Sequence, residues 1–146
     1  EFLGFFPNKE NTVYFLELRR VIEMGNIASI YRELSEEELE ELEKLVQVLG
    51  EKRSIDEYTE ADRMFHYKMI SHSKNPMLIQ INNMIADMRN NLLYQMFCYP
   101  EIVEDAYQAH CEILDALRKR DLNACIRAVS AHIDTTIMHA ENLYLN

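Results

Sequence analysis

The sequence predicts an all-α fold, an antiparallel bundle of about six helices, and three observations point there. Only three Gly, three Pro and no Trp occur in 146 residues, a composition low in turn formers that favours long helices and short connections. Apolar residues recur three and four apart through most of the chain, which is the period of a helix with one buried face. Helix-start signals separate these stretches at regular intervals. The length suits one domain with a proper core.

Residues 1–12 contain Phe-Leu-Gly-Phe-Phe-Pro-Asn and follow neither period, so they read as a lead-in, with the domain proper over 13–146. Leu16, Arg20, Glu23, Ile27 and Tyr31, with Leu18, Val21, Ile22 and Met24, place a first helix at roughly 12–33. Ser35 with Glu38 forms a capping-box pair, and Glu36-Glu37-Glu38 sits where the helix dipole favours negative charge. That second helix runs to about Glu51, its charge run a solvated face. Ser54 with Glu57 repeats the box and opens a third helix carrying Tyr58, Asp62, Phe65, His66, Met69 and Ile70. Asn75-Pro76 ends it and starts a fourth, with Leu78, Ile81, Ile85, Met88 and Leu92 inside. Tyr99-Pro100 begins a fifth, with Val103, Ala106, His110, Ile113, Leu114 and Leu117 on its apolar stripe. Asp121 caps a sixth that buries Leu122, Cys125, Val129, His132, Ile133 and Thr136. Connections of a few residues imply mostly antiparallel neighbours.

A formal net charge of −10 makes the domain a poor partner for nucleic acid or an anionic membrane. No apolar run reaches the roughly 20 residues that span a bilayer, and no basic stretch followed by an apolar one, the pattern expected of a signal segment, occurs in these residues. Cys98, Cys111 and Cys125 are odd in number and lack CxxC spacing, so they read as small buried thiols in a cytoplasmic protein. The chain opens on Glu1 rather than Met and is expected to be a fragment or a processed form.

Asp62 and His66 stand at i and i+4, on one face of the third helix beside Phe65 and Met69. A charge on such a stripe is costly unless paired or bound to a metal. His110 and His132 lie eleven residues before and after Asp121, so an antiparallel hairpin brings them level. One carboxylate and three imidazoles make a donor set suited to zinc, nickel, copper or Fe(II), and less well to manganese. His139 lies two turns beyond His132 and could replace a ligand; His72, near a helix end, is expected to be solvated. Two other readings stay open. The histidines could hydrogen-bond within a structural bundle, or the same site could serve a small metal-dependent enzyme with metal-bound water as nucleophile. The enzyme is disfavoured: no Glu-x-x-His, HExxH, GxSxG or Gly-rich phosphate loop occurs.

The chain resembles the FCD domain, the C-terminal effector-binding domain of FadR-type regulators in the GntR family of bacterial transcription factors. The resemblance is carried by Glu17-Leu18-Arg19 with Ile22-Glu23, Asp62-x-x-Phe65-His66 with Ser73-x-Asn75-Pro76, His110-x-x-Ile113-Leu114-x-Ala116-Leu117, and Asp121 with Ala124 and His132. It implies a helical bundle enclosing a pocket, with Asp62, His66, His110 and His132 as metal positions; the donor set puts zinc first among the expected ions. It implies a small carboxylate effector at or beside the metal, for which Arg19, Arg20 and Arg89 are the candidate counter-charges. The regulator would be a homodimer reading operator DNA through an N-terminal winged helix-turn-helix absent from this chain. Family members often carry Glu before and Arg after the third ligand, whereas Ala109 and Cys111 flank His110 here.

Overall fold

Five of the six helices begin where a side chain accepts from a free N–H group, and the fifth in chain order opens on Pro100 after Tyr99 without such a cap. The computed structural model describes residues 8–145, and six helices run through them: α1 (Lys9–Ile30), α2 (Glu36–Leu49), α3 (Ile55–His72), α4 (Pro76–Met96), α5 (Pro100–Arg118) and α6 (Leu122–Leu145). Ser35 and Ser54 both close capping boxes, with Glu38 and Glu57. Asn75 accepts from the Met77 N–H ahead of Pro76, and Asp121 accepts from the Ala124 N–H. α1 starts at Lys9, earlier than periodicity indicates, because Asn8 caps it by accepting from Asn11. The part of the lead-in over residues 1–7 lies outside the described residues.

Side-chain contacts give the helix directions. Thr12 meets Tyr144 and Arg20 meets Asp134, so α1 and α6 are antiparallel. Glu38 meets His72 and Glu41 meets Lys68, so α2 and α3 are antiparallel too. α1 and α3 then run the same way: Glu23 lies beside His66, and one turn on Asn26 donates to the Met69 carbonyl at 3.0 Å. α5 packs on both α2 and α6, while α4 packs on α3 and more lightly on α6. Arg120, at φ 55°, closes the far end by donating to the Tyr31 and Leu34 carbonyls beyond the C-terminus of α1.

The core forms in two parts. One gathers Ile27, Leu39, Leu42, Phe65, Ile113, Leu117 and Val129; the other gathers Phe15, Leu16, Ile85, Leu93, Met96 and Val103. In two helices the buried face differs from the one the apolar pattern indicates. α1 buries Phe15, Leu16, Arg19, Glu23, Asn26 and Ile27, leaving Leu18 and Val21 exposed. α4 buries Asn82, Ile85, Arg89, Leu92 and Met96, leaving Met77, Ile81 and Met84 exposed. Polar residues therefore face the interior between the two core parts.

The expectation of three buried thiols holds for Cys125 alone; Cys98 is exposed at the end of α4 and Cys111 is half-buried. Burial, with Asp121 nearby, pushes the Cys125 thiol up to about 11. Because the thiolate is the reacting form, a disulfide reagent should modify Cys98 fast, Cys111 more slowly and Cys125 only after denaturation. Stopped-flow labelling with peptide mapping checks this, and three equal rates would contradict it. His72 is not freely solvated either: its Nδ1 lies 2.6 Å from Glu38 Oε2.

Candidate metal centre

Asp62 and His66, one turn apart on α3, are each 2% exposed, and His110 on α5 is fully buried. The α5–α6 hairpin brings His132 level with His110, their ring centroids 4.8 Å apart. His110 Nε2 lies 3.3 Å from His66 Nε2 and 3.3 Å from Asp62 Oδ1, and His66 Nε2 lies 3.6 Å from the same oxygen. Two donors about 2.0–2.1 Å from one ion at tetrahedral angles stand about 3.3–3.4 Å apart, so these three atoms already have the separation of ligands to a common cation. One ring nitrogen each of His66, His110 and His132 lies within 4.8 Å of the others. Asp62 Oδ2 is buried without a hydrogen-bond partner among the described residues.

The protonation pattern explains why this cluster suits a cation. Glu23 Oε1 pairs with His66 Nδ1, and Glu23 Oε2 accepts from Arg19 Nε at 3.1 Å. In the neutral ring, a proton held on Nδ1 beside Glu23 would leave the His66 Nε2 lone pair facing a carboxylate oxygen and a second imidazole nitrogen. Such a convergence of lone pairs is unfavourable in a dry interior unless a positive charge enters. A carboxylate behind a histidine is also the usual device for fixing which ring nitrogen binds metal. Phe65 stacks on the His110 ring at 4.5 Å and holds it from one side.

Burial opposes charge on every member, and the neighbours decide the outcome. For Glu23, Arg19 and His66 overcome burial and hold the carboxyl well below the usual range. His66 and His110 do the same for Asp62. His66 is raised against the effect of burial by Glu23 and Asp62. His110 is pushed well down by burial despite Asp62. Burial, with His66 and Arg19 adding to it, brings His132 down to about 4. Two histidines are thus held neutral, as ligation requires.

The metal-free stability follows with a definite sign. A histidine depressed in the folded state stabilises fully above its unfolded value of 6.5, and that contribution is lost as pH falls toward the folded value, about 4 for His132. His66, being raised, works in the opposite direction: its contribution is present below 6.5 and lost as pH rises through its folded value. With two histidines depressed against one raised, and with Asp62 and Glu23 also depressed, the chelator-treated protein should lose Tm from pH 6.5 to 4 and more steeply below 4.5. A thermal-melt series across that range measures it; a Tm that climbs on acidification would contradict the assignment.

Two small cavities flank Arg19. One, of about 20 Å3, is lined by Arg19, Asp62, His132 and Thr136 and extends toward the surface at Asp105 and His139, which pair at 2.7 Å. His139 therefore borders this cavity and is engaged with Asp105. The other, of about 10 Å3, is lined by Arg19, Glu23, His66, Asn82 and Arg89. A cavity of roughly 10–15 Å3 by such a measure holds one water, so the interior has room for an ion or a water and must open to take an organic acid. Arg19 and Arg89 thus border the site. Arg20 lies elsewhere, bonded to Ser130 Oγ at 2.8 Å and to Asp134 at 2.6 Å on the α6 side. The sequence pattern does not place Glu23 or Asn82 at the site; the signal for Glu23 is Arg19 four residues before it, two opposite charges one turn apart within a helix whose neighbours are apolar.

The fold and this cluster define a class: an all-α domain whose three buried histidines could hold a metal ion. Residues 14–135 match the family model of the FCD domain. The chain belongs to that family, the effector-binding domain of GntR-type transcription regulators. No curated protein matches the chain.

Proposed function

We propose that this chain is the effector-sensing, metal-binding domain of a FadR-type DNA-binding regulator, with Asp62, His66, His110 and His132 holding one divalent ion and a small carboxylate binding beside it. The observation that carries this reading is the 3.3–3.6 Å triangle of His66 Nε2, His110 Nε2 and Asp62 Oδ1. Its three-nitrogen, one-oxygen donor set favours zinc, with nickel, iron and copper behind it and manganese last. When bound, the ion supplies a positive position that attracts an anionic group. Arg19 and Arg89 supply the remaining counter-charge from the walls.

Residues 13–146 are the sensing domain, and operator DNA is read by a winged helix-turn-helix outside this chain, in the cytoplasm. A chain of net charge −10 leaves DNA contact to that second domain. Two such readers bind a two-fold operator as a homodimer, for which the exposed stripes Tyr14-Leu18-Val21 on α1 and Met77-Ile81-Met84 on α4 are suitable contacts. Because the cavities are water-sized, an acid enters only if the walls move, and that helix shift is the signal passed to the DNA-binding domains. An enzyme using the same site would need a base nearby. Glu23 is the nearest spare carboxylate, but Arg19 and His66 hold its pKa low and occupy it, which makes it a poor base.

Elemental analysis of protein purified without chelator or added metal tests the reading: about one divalent ion per chain is expected. A chain that carries none and takes up none on titration overturns it.

A further inference from the structure

Arg89 is 3% exposed, yet no carboxylate among the described residues lies within ion-pair distance of it, and its Nε has no hydrogen-bond partner. A buried guanidinium left in this state is costly, and such charges are ordinarily paired. Arg19, which borders the same cavity, differs in having Glu23 as its partner. Burial, with the neighbouring Arg19 adding to it, also lowers the Arg89 guanidinium from its ordinary value against the opposing pull of Asp62 and Glu23.

Counting the buried formal charges around the cavities, Arg19 and Arg89 cancel Glu23 and Asp62. A divalent ion then leaves a surplus of two positive charges. They are separated: one at the imidazole–Asp62 cluster, the other at Arg89 on α4. Asn82, 5% exposed and two turns before Arg89 on the same face of α4, adds an amide donor to the second position. A single carboxylate can neutralise only one of the two.

We infer that the effector is a dianion, a short dicarboxylate, with one carboxylate at the cluster formed by Asp62, His66, His110 and His132 and the other on Arg89 and Asn82. This rests on the metal-and-acid reading above and goes beyond it in naming two anionic groups. It also assigns α4 a role, since closing Arg89 onto the second carboxylate draws that lightly packed helix toward the site.

The test compares succinate with butyrate, equal in carbon number, by calorimetry and thermal shift on the metal-loaded protein at neutral pH, with metal content measured before and after. Succinate should bind at least about tenfold more tightly, which is about 1.4 kcal/mol. Arg89→Gln should remove that preference by weakening succinate far more than butyrate, and Arg89→Lys should keep part of it. The wild-type ratio stands by itself should Arg89→Gln fold poorly. Butyrate binding as tightly as succinate, or an unchanged ratio in Arg89→Gln, overturns the dianion. Failure of both acids, and of the three- and five-carbon dicarboxylates, to bind metal-loaded protein overturns instead the acid-binding reading on which it rests.

Discussion

Replacing His110 by alanine is expected to remove nearly all bound metal, a loss in affinity larger than the roughly 10–100-fold that follows removal of a residue supporting a ligand. The reason is geometric. His110 Nε2 is the shared vertex of the triangle, 3.3 Å from both His66 Nε2 and Asp62 Oδ1, so its loss breaks two of the three short separations at once. His132→Ala should act in the same direction, since its ring faces His110 across the hairpin. Both changes also open space in the core, so the readout must separate metal loss from loosened packing. Ile113→Ala does this: Ile113 is 1% exposed on the same helix, and its truncation should cost about 2–5 kcal/mol of stability while leaving metal content intact. Metal per chain by mass spectrometry, with the rise in Tm on metal addition, decides the matter. Unchanged metal content in both histidine variants would remove the assignment, and a loss in Ile113→Ala equal to theirs would make it a folding effect.

How much of this was legible in the sequence depends on which helix is considered. The breaks between helices were readable because local chemistry dictates them: Ser35 and Ser54 with a Glu three residues on, Pro76 and Pro100 at first helical positions, and Asp121. Three of the proposed ligands were readable from the α3 spacing of Asp62 and His66 and the position of His110 on its stripe, and the hairpin symmetry about Asp121 supplied His132. The faces of α1 and α4 were not. Periodicity arguments treat the buried stripe as the apolar one, and here Arg19, Glu23, Asn26, Asn82 and Arg89 occupy it. The apolar residues left over, Leu18, Val21, Ile81 and Met84, then look like core although they face outward. A helix whose apolar pattern is blurred by charges at core spacing is thus informative in its own right: in this chain both such helices line the site.

The arrangement also shows why the site is built on four helices rather than on one motif. α3 supplies a fixed i, i+4 pair, α5 and α6 bring the remaining imidazoles level, and α1 stands behind His66 with Glu23. α4 is the wall with the fewest ties, packing on α3 and only lightly on α6. A wall that is weakly held and carries a charge with no ion-pair partner among the described residues is suited to respond to a ligand, because a ligand shifts an equilibrium only by its differential affinity for the two states.

Glu23→Ala should be the most destabilising single change near the site. Glu23 pairs with Arg19 at 3.1 Å and with His66 Nδ1, and Arg19 is 3% exposed. Deleting the carboxylate leaves Arg19 and Arg89 both uncompensated around one cavity and His66 without its acceptor. Breaking a buried ion pair from one side costs about 3–5 kcal/mol, which in a domain of this size lowers Tm by something on the order of 6–20 °C. Glu23→Gln keeps an oxygen for His66 but not the charge for Arg19, so it should fall between wild type and Glu23→Ala. Arg19→Met with Glu23→Leu removes both charges and should cost less than Glu23→Ala alone, since the penalty lies in the stranded guanidinium more than in the lost attraction. The pH dependence has a fixed sign: Glu23 is depressed in the folded state, so its contribution is present above 4.5 and is lost in acid, and the gap between wild type and Glu23→Ala should narrow below that pH. Metal affinity in Glu23→Gln should drop by about 10–100-fold as the His66 ring loses its fixed orientation. Urea denaturation of the four proteins with and without chelator measures all of this. A Glu23→Ala protein within about 1 kcal/mol of wild type, inside the ordinary range for a surface pair, would show that Arg19 is served by water and does not depend on Glu23 for its counter-charge.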